Sequence, residues 1–140
     1  MSNEEKKIFL NIEPIETSIA PWLTVNDCAK ALSFYKAAFG AEESYRMESP
    51  DGVLQVVKLN IDKADFWLSE KSDRHDSIIK TEAENIFKII LTVTDPDALF
   101  EKALKAGATQ VFPVGEEYGW RLGRLVDPFG YHWEIGRLLT

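Results

Sequence analysis

A chain of 140 residues, 45% hydrophobic and 28% charged, is sized for one domain that buries a real core without covalent staples. Lys+Arg number 16 against 23 Asp+Glu, a net charge of −7, and that sign argues against nucleic-acid and anionic-membrane partners, which demand a basic surface. The single cysteine, Cys28, excludes an intrachain disulfide and a multi-cysteine zinc site, and is read as an inert structural residue. No apolar run approaches a membrane span and the first residues lack a signal-peptide core, so the expected compartment is the cytoplasm.

In chain order, residues 1–17 read as a tail or an added edge strand, and Ser18 to Val25 as the first strand. Asn26-Asp27 offers capping oxygens to a helix from Cys28 to Phe39, with Ala31, Leu32, Phe34, Tyr35, Ala38 and Phe39 on one side and Gly40 closing it. Strands follow over Glu42–Met47, Val53–Asn60 and Asp65–Ser69, the first two joined by a Pro50-Asp51-Gly52 turn. Residues 71–85 are polar, contain His75, and read as a linker.

The pattern then starts again. Ile86 to Val93 reads as a strand, Asp95 as a cap, and Pro96 to Ala106 as a helix ended by Gly107. Thr109–Phe112, Arg121–Val126 and Tyr131–Ile135 supply three more strands, with Gly115 to Gly119 expected as a mobile rim. Both halves run strand, helix, three strands. Leu23-Thr24-Val25-x-Asp27 recurs as Leu91-Thr92-Val93-x-Asp95, Gly40-Ala41 as Gly107-Ala108, and Trp67 is matched with Trp133. This points to a duplicated βαβββ unit: one domain over residues 1–140, with modules at 17–70 and 86–138. Strand parity sends Leu23, Val25, Leu91 and Val93 toward the helices. Ala20, Trp22, Thr24, Lys88, Ile90 and Thr92 take the other face, with Phe66, Leu68, His132 and Glu134 as their counterparts on each half's last strand.

The closing hairpin Asp127-Pro128-Phe129-Gly130-Tyr131-His132-Trp133-Glu134-Ile135 resembles that of the vicinal oxygen chelate superfamily, the glyoxalase and bleomycin-resistance-like proteins. The run from Trp120 to Gly130 is most similar to its PhnB-like branch. The resemblance covers about residues 17–138 and implies an α+β fold in which two tandem βαβββ modules form a curled mixed sheet with an open cup, helices outside. It also implies homodimers. Enzymes of the family hold a divalent metal through the first and last strands of each half, and carried over, those positions are Ala20, about Leu68, Lys88 and Glu134. Ala and Leu cannot ligate, and a protonated Lys repels a cation. Glu134 with His132 makes two ligands where a catalytic site needs three. No metal or other cofactor is therefore expected.

The first expectation is a cytoplasmic homodimer that binds a small molecule in its cup through Trp22, Lys88, His132, Glu134 and Arg121. Trp22 offers a stacking surface, Lys88 and Glu134 a charge pair, and His132 an imidazole that can donate or accept a hydrogen bond. Two alternatives stand beside it: a lyase- or dioxygenase-type enzyme, metal-free or with an unorthodox site at Glu134 and His132, and a dimeric scaffold whose cup is vestigial.

Overall fold

Two aspartates start the two helices. Asp27 Oδ1 accepts from Lys30 N at 3.0 Å, Asp95 Oδ1 accepts from Ala98 N at 3.1 Å, and helices α1 (Cys28–Phe39) and α2 (Pro96–Ala106) follow. Each cap satisfies a donor that the first helical turn leaves open. Gly40 ends α1 at φ 69°, a left-handed conformation in which its N–H turns back to Lys36 O.

The structure, a computed structural model, describes residues 14–15, 18–71 and 87–139. The linker expected at 71–85, apart from Lys71, lies outside the described residues, as do His75 and most of 1–17. The strands are β1 (Trp22–Val25), β2 (Glu42–Glu48), β3 (Leu54–Ile61), β4 (Ala64–Glu70), β5 (Ile89–Thr92), β6 (Thr109–Glu117), β7 (Trp120–Val126) and β8 (His132–Leu138). They form two four-stranded mixed sheets on one plan, β1-β4-β3-β2 and β5-β8-β7-β6. In each, the first strand lies parallel to the last and the other pairs are antiparallel. Neither sheet closes into a barrel, and the α+β architecture of tandem βαβββ units is the one observed.

Two elements depart from expectation: β1 starts at Trp22 in place of Ser18, and β6 is longer than foreseen. β6 runs to Glu117, so the Gly115–Gly119 rim is strand and tight turn: Gly115 pairs with Leu122, Glu117 with Trp120, and Tyr118 and Gly119 turn the chain at φ 52° and 81°. Pro113 does not end the strand because β6 is an edge and its register shifts on both sides of Phe112.

The inner faces of the two sheets share one core. Leu23, Val25, Val57, Leu59, Phe66 and Leu68 bury against α1, while Leu91, Leu125, Trp133 and Ile135 bury with Phe100 and Ala103 of α2. Each such large side chain contributes roughly 1.5–3 kcal/mol of burial. The modules interlock at Trp133, whose ring lies 4.8 Å from Phe39, 5.7 Å from Tyr35 and 5.6 Å from Phe66.

Asp127, only 3% exposed, completes the lock. Its carboxyl accepts from Tyr35 Oη at 2.5 Å, Trp133 Nε1 at 2.8 Å, and the backbone N–H groups of Phe129 and Tyr131 at 2.9 Å. One side chain thus fixes the turn that aims β8 and ties that turn to α1. Burial pushes the Asp127 carboxyl above the usual carboxylate range, against the opposing pull of these hydrogen bonds, and burial likewise pushes the Tyr35 hydroxyl up. A second tie runs from Tyr131 Oη, which donates to Thr24 O at 2.8 Å and accepts from Thr24 N at 3.1 Å.

Candidate functional site

Register decides which residues reach the outer faces. β1 pairs with β4 as Trp22↔Trp67 and Leu23↔Leu68; β5 pairs with β8 as Ile90↔Glu134 and Leu91↔Ile135. Leu23 and Leu91 both turn inward, so Leu68 answers to Ile135, and the counterpart of Glu134 is Trp67. The expectation that Phe66 and Leu68 face the cup, and that Trp67 matches Trp133, is overturned. Phe66 and Leu68 are buried under α1, and a one-residue slip exchanges the two faces of a strand.

On sheet 1 the outer face is aromatic. Trp22, 54% exposed, stacks on Trp67 at 5.6 Å with the planes 22° apart, and its Nε1 donates to Ser69 Oγ at 2.8 Å. Tyr45 meets Trp67 edge-on at 5.8 Å, and Lys58 Nζ lies 5.2 Å from the same ring. Lys58 is also 3.7 Å from Asp65.

The outer face of sheet 2 carries charge. Lys88 Nζ contacts Glu134 Oε2 at 2.6 Å; the lysine side chain is 41% exposed and the glutamate 14%. His132 and Glu134, two residues apart on β8, share this face, and Arg124 on β7 stands directly across from Glu134. Beside Glu134 lies a depression of about 130 Å³ lined by Ile90, Thr92, Trp120, Leu122 and Gly136. Gly136 is required there: a Cβ would come within 2.6 Å of Arg121 O and Leu122 Cβ.

Of the expected site residues, Lys88, His132 and Glu134 share one face, while Trp22 belongs to the other sheet. Trp22 contacts Trp67 and Ser69, whereas Lys88 contacts Glu134. Arg121 lies on neither outer face. Its guanidinium reaches Asp97 in the first turn of α2 at 2.5 and 2.6 Å and Glu116 at 3.9 Å, which makes it a strut between sheet 2 and its helix. Cys28 lies at the start of α1 with its thiol pushed up to about 11, first by burial and then by the Glu70 and Asp27 carboxylates, so it carries no nucleophile at neutral pH.

With the register corrected, the four positions that the family resemblance assigns to metal ligands hold Ala20, Trp67, Lys88 and Glu134. That set contains one carboxylate and no histidine, and the carboxylate already holds an ammonium group. Among the described residues, no cluster of three or more His, Cys, Asp or Glu is arranged to hold a metal ion. The residues present do not fit a divalent-metal site of the usual kind.

Comparison with known proteins agrees with the fold. The profile of the Glyoxalase/Bleomycin resistance protein/Dioxygenase superfamily matches residues 15–135. The uncharacterised Mycobacterium bovis protein Mb0911c is 39% identical over 137 residues, spanning 91% of this chain and 86% of its own. The Arabidopsis thaliana protein At5g48480 is 34% identical over 113 residues, spanning 74% of this chain and 67% of its own. Its crystal structure is similar with a TM-score of 0.63 and 28% identity, over 88% of this chain and 100% of that one. TioX from Micromonospora sp. ML1, at 20% identity and a TM-score of 0.68 over 89% of this chain and 98% of its own, shares the fold. With two βαβββ units laid out in order and the superfamily profile spanning both, the chain belongs to the Glyoxalase/Bleomycin resistance protein/Dioxygenase superfamily.

Proposed function

We propose that this protein is a metal-free small-molecule binder of the PhnB-like branch, which holds its ligand on the outer sheet faces as a cytoplasmic homodimer. The observation that carries the reading is the Lys88–Glu134 contact at 2.6 Å. Where family enzymes place two metal ligands, this chain places a cation and an anion that satisfy each other. With the lysine 41% and the glutamate 14% exposed, the two charges neutralise each other at the solvent edge, and a pair of this kind can grip polar groups without a metal.

Dimerisation is supported by the apolar surface that the outer faces leave in solvent. Trp22, Tyr45 and Met47 on sheet 1 and Ile90 on sheet 2 are all about half exposed or more. A second copy placed over these faces would turn two open sheets into an enclosed cup in which Trp22 and Glu134 line one space.

Elemental analysis of the purified protein, with Ni²⁺, Zn²⁺ and Mn²⁺ titrations followed by tryptophan fluorescence, tests the metal half of the reading. The expected result is no stoichiometric metal and no saturable site. Tight stoichiometric binding that disappears in Glu134→Ala would overturn it and direct attention to lyase and dioxygenase assays. Light scattering coupled to size exclusion tests the dimer, with a mass twice that of the chain expected.

A further inference from the structure

The described arginines have partners, with one exception. Arg46 is held by Glu43 and Glu48, Arg121 by Asp97, and Arg137 by Thr94 O at 2.9 Å. Arg124 is different. Its Nε is buried, and among the described residues no atom accepts a hydrogen bond from it. Buried donors without acceptors are rare in folded proteins, and more so on a charged group.

The position of this arginine is set by packing, since its neighbours both turn inward. Leu125 is fully buried, and Gly123 lies so close beneath Val114 and Phe100 that a Cβ there would sit within 3.0 Å of both. Arg124 therefore projects from the outer face of β7, between Glu134 on β8 and Phe112 on β6. Glu134, the nearest carboxylate by register, is engaged by Lys88. Among the described residues Lys88 and Glu134 cancel, and no carboxylate is paired with the Arg124 guanidinium. The apolar depression lined by Ile90, Trp120 and Leu122 adjoins it across Glu134.

We infer that Arg124 is the anion anchor of the cup, and that the ligand is a small, flat, largely apolar molecule bearing one carboxylate or phosphate. This deepens the ligand-binding reading above and rests on it. The terminal amino groups of the guanidinium can donate two parallel hydrogen bonds to a carboxylate or phosphate edge, with the buried Nε holding the fork in place. The apolar body lies against Ile90, Leu122 and the Trp120 ring. Glu134, neutralised by Lys88, does not repel the anion.

The test is ¹⁹F NMR titration of the full chain with 4-fluorobenzoate, 4-fluorophenyl phosphate and neutral 4-fluorobenzamide. At least one anion is expected to bind about tenfold or more tightly than the amide, the size of one charge-assisted contact, and the stronger of the two identifies the headgroup. Arg124→Gln should bring the anions down to the level of the amide and leave the amide unchanged, while Arg124→Lys retains part of the preference. Thermal unfolding of Arg124→Gln is expected at or above the wild-type midpoint, because an unpaired charge is removed; a lower midpoint with anion preference intact marks a structural arginine and overturns the inference. So does equal binding of anions and amide to the wild type, which leaves the cup reading standing. Failure of all three probes to bind sinks the cup reading and the anchor together. A change of oligomeric mass in both Arg124 variants would assign the guanidinium to the contact between copies and overturn the anchor.

Discussion

On the outer face of β4, the residue beside Trp22 is Trp67; at the equivalent place on β8, the residue beside Ile90 is Glu134, paired with Lys88. The skeleton beneath is the same in both modules, down to the capping aspartates and the parallel first and last strands. Sheet 1 occupies the place with stacked rings that keep a largely apolar surface. Sheet 2 occupies it with charges that must satisfy one another. The inner faces have no such latitude, because both modules close on the same core around Trp133. Duplication therefore fixes what faces the helices and frees what faces solvent, and the chemistry is to be sought on the freed side.

If that division is right, inner substitutions strike the fold and outer ones spare it. The largest effect is expected from Trp133→Ala, about 3–5 kcal/mol of unfolding free energy by urea titration, since the cavity opens against both modules. A loss below about 1 kcal/mol would mean that the modules do not share a core.

Asp127→Asn comes next. It presents an NH₂ to a site where all four contacts are donors, a cost of about 1–3 kcal/mol. It should also remove a pH dependence. The folded carboxyl is raised, so the fold binds this proton more tightly than the unfolded chain does. That contribution is fully present below the unfolded value of about 3.9 and is lost as pH rises through the raised one. Urea midpoints from pH 4 to 7 should therefore show wild type falling relative to Asp127→Asn as pH rises, and parallel curves would refute the assignment.

Smallest of all, Lys88→Met is expected to change stability by less than about 1 kcal/mol, because the lysine is 41% exposed and its pair is screened. A larger loss in denaturant titration would make the pair part of the scaffold and blur the contrast between the two sheets.

Much of the skeleton was legible in the sequence because its signals are local. Asp27, Gly40, Asp95 and Pro96 mark helix ends by backbone chemistry that depends on no distant partner, and both helices run where those residues place them. The face of β4 was misread because two tryptophans look alike, whereas the alternation of Phe66, Leu68 and their buried neighbours is what sets the register. Arg121 and Arg124 are three residues apart on one strand and so lie on opposite faces, but nothing local says which meets the helix; Asp97, from another element, decides it. Asp127 is visible in the sequence only as the first residue of the closing hairpin, and its bonds to Tyr35 and Trp133 exist only once the modules meet.

The bond from Tyr35 to Asp127 spans 92 residues, and this has a consequence for a chain that leaves the ribosome from its N-terminus. When the first βαβββ unit has emerged, Tyr35, Phe39 and Phe66 already form one side of a core whose other side, Trp133, has not been made. The nascent first half therefore carries an uncovered aromatic surface until the closing hairpin is synthesised. Its folding should complete late and all at once, and a premature stop anywhere before the closing hairpin should yield a sticky fragment in place of a half-sized domain.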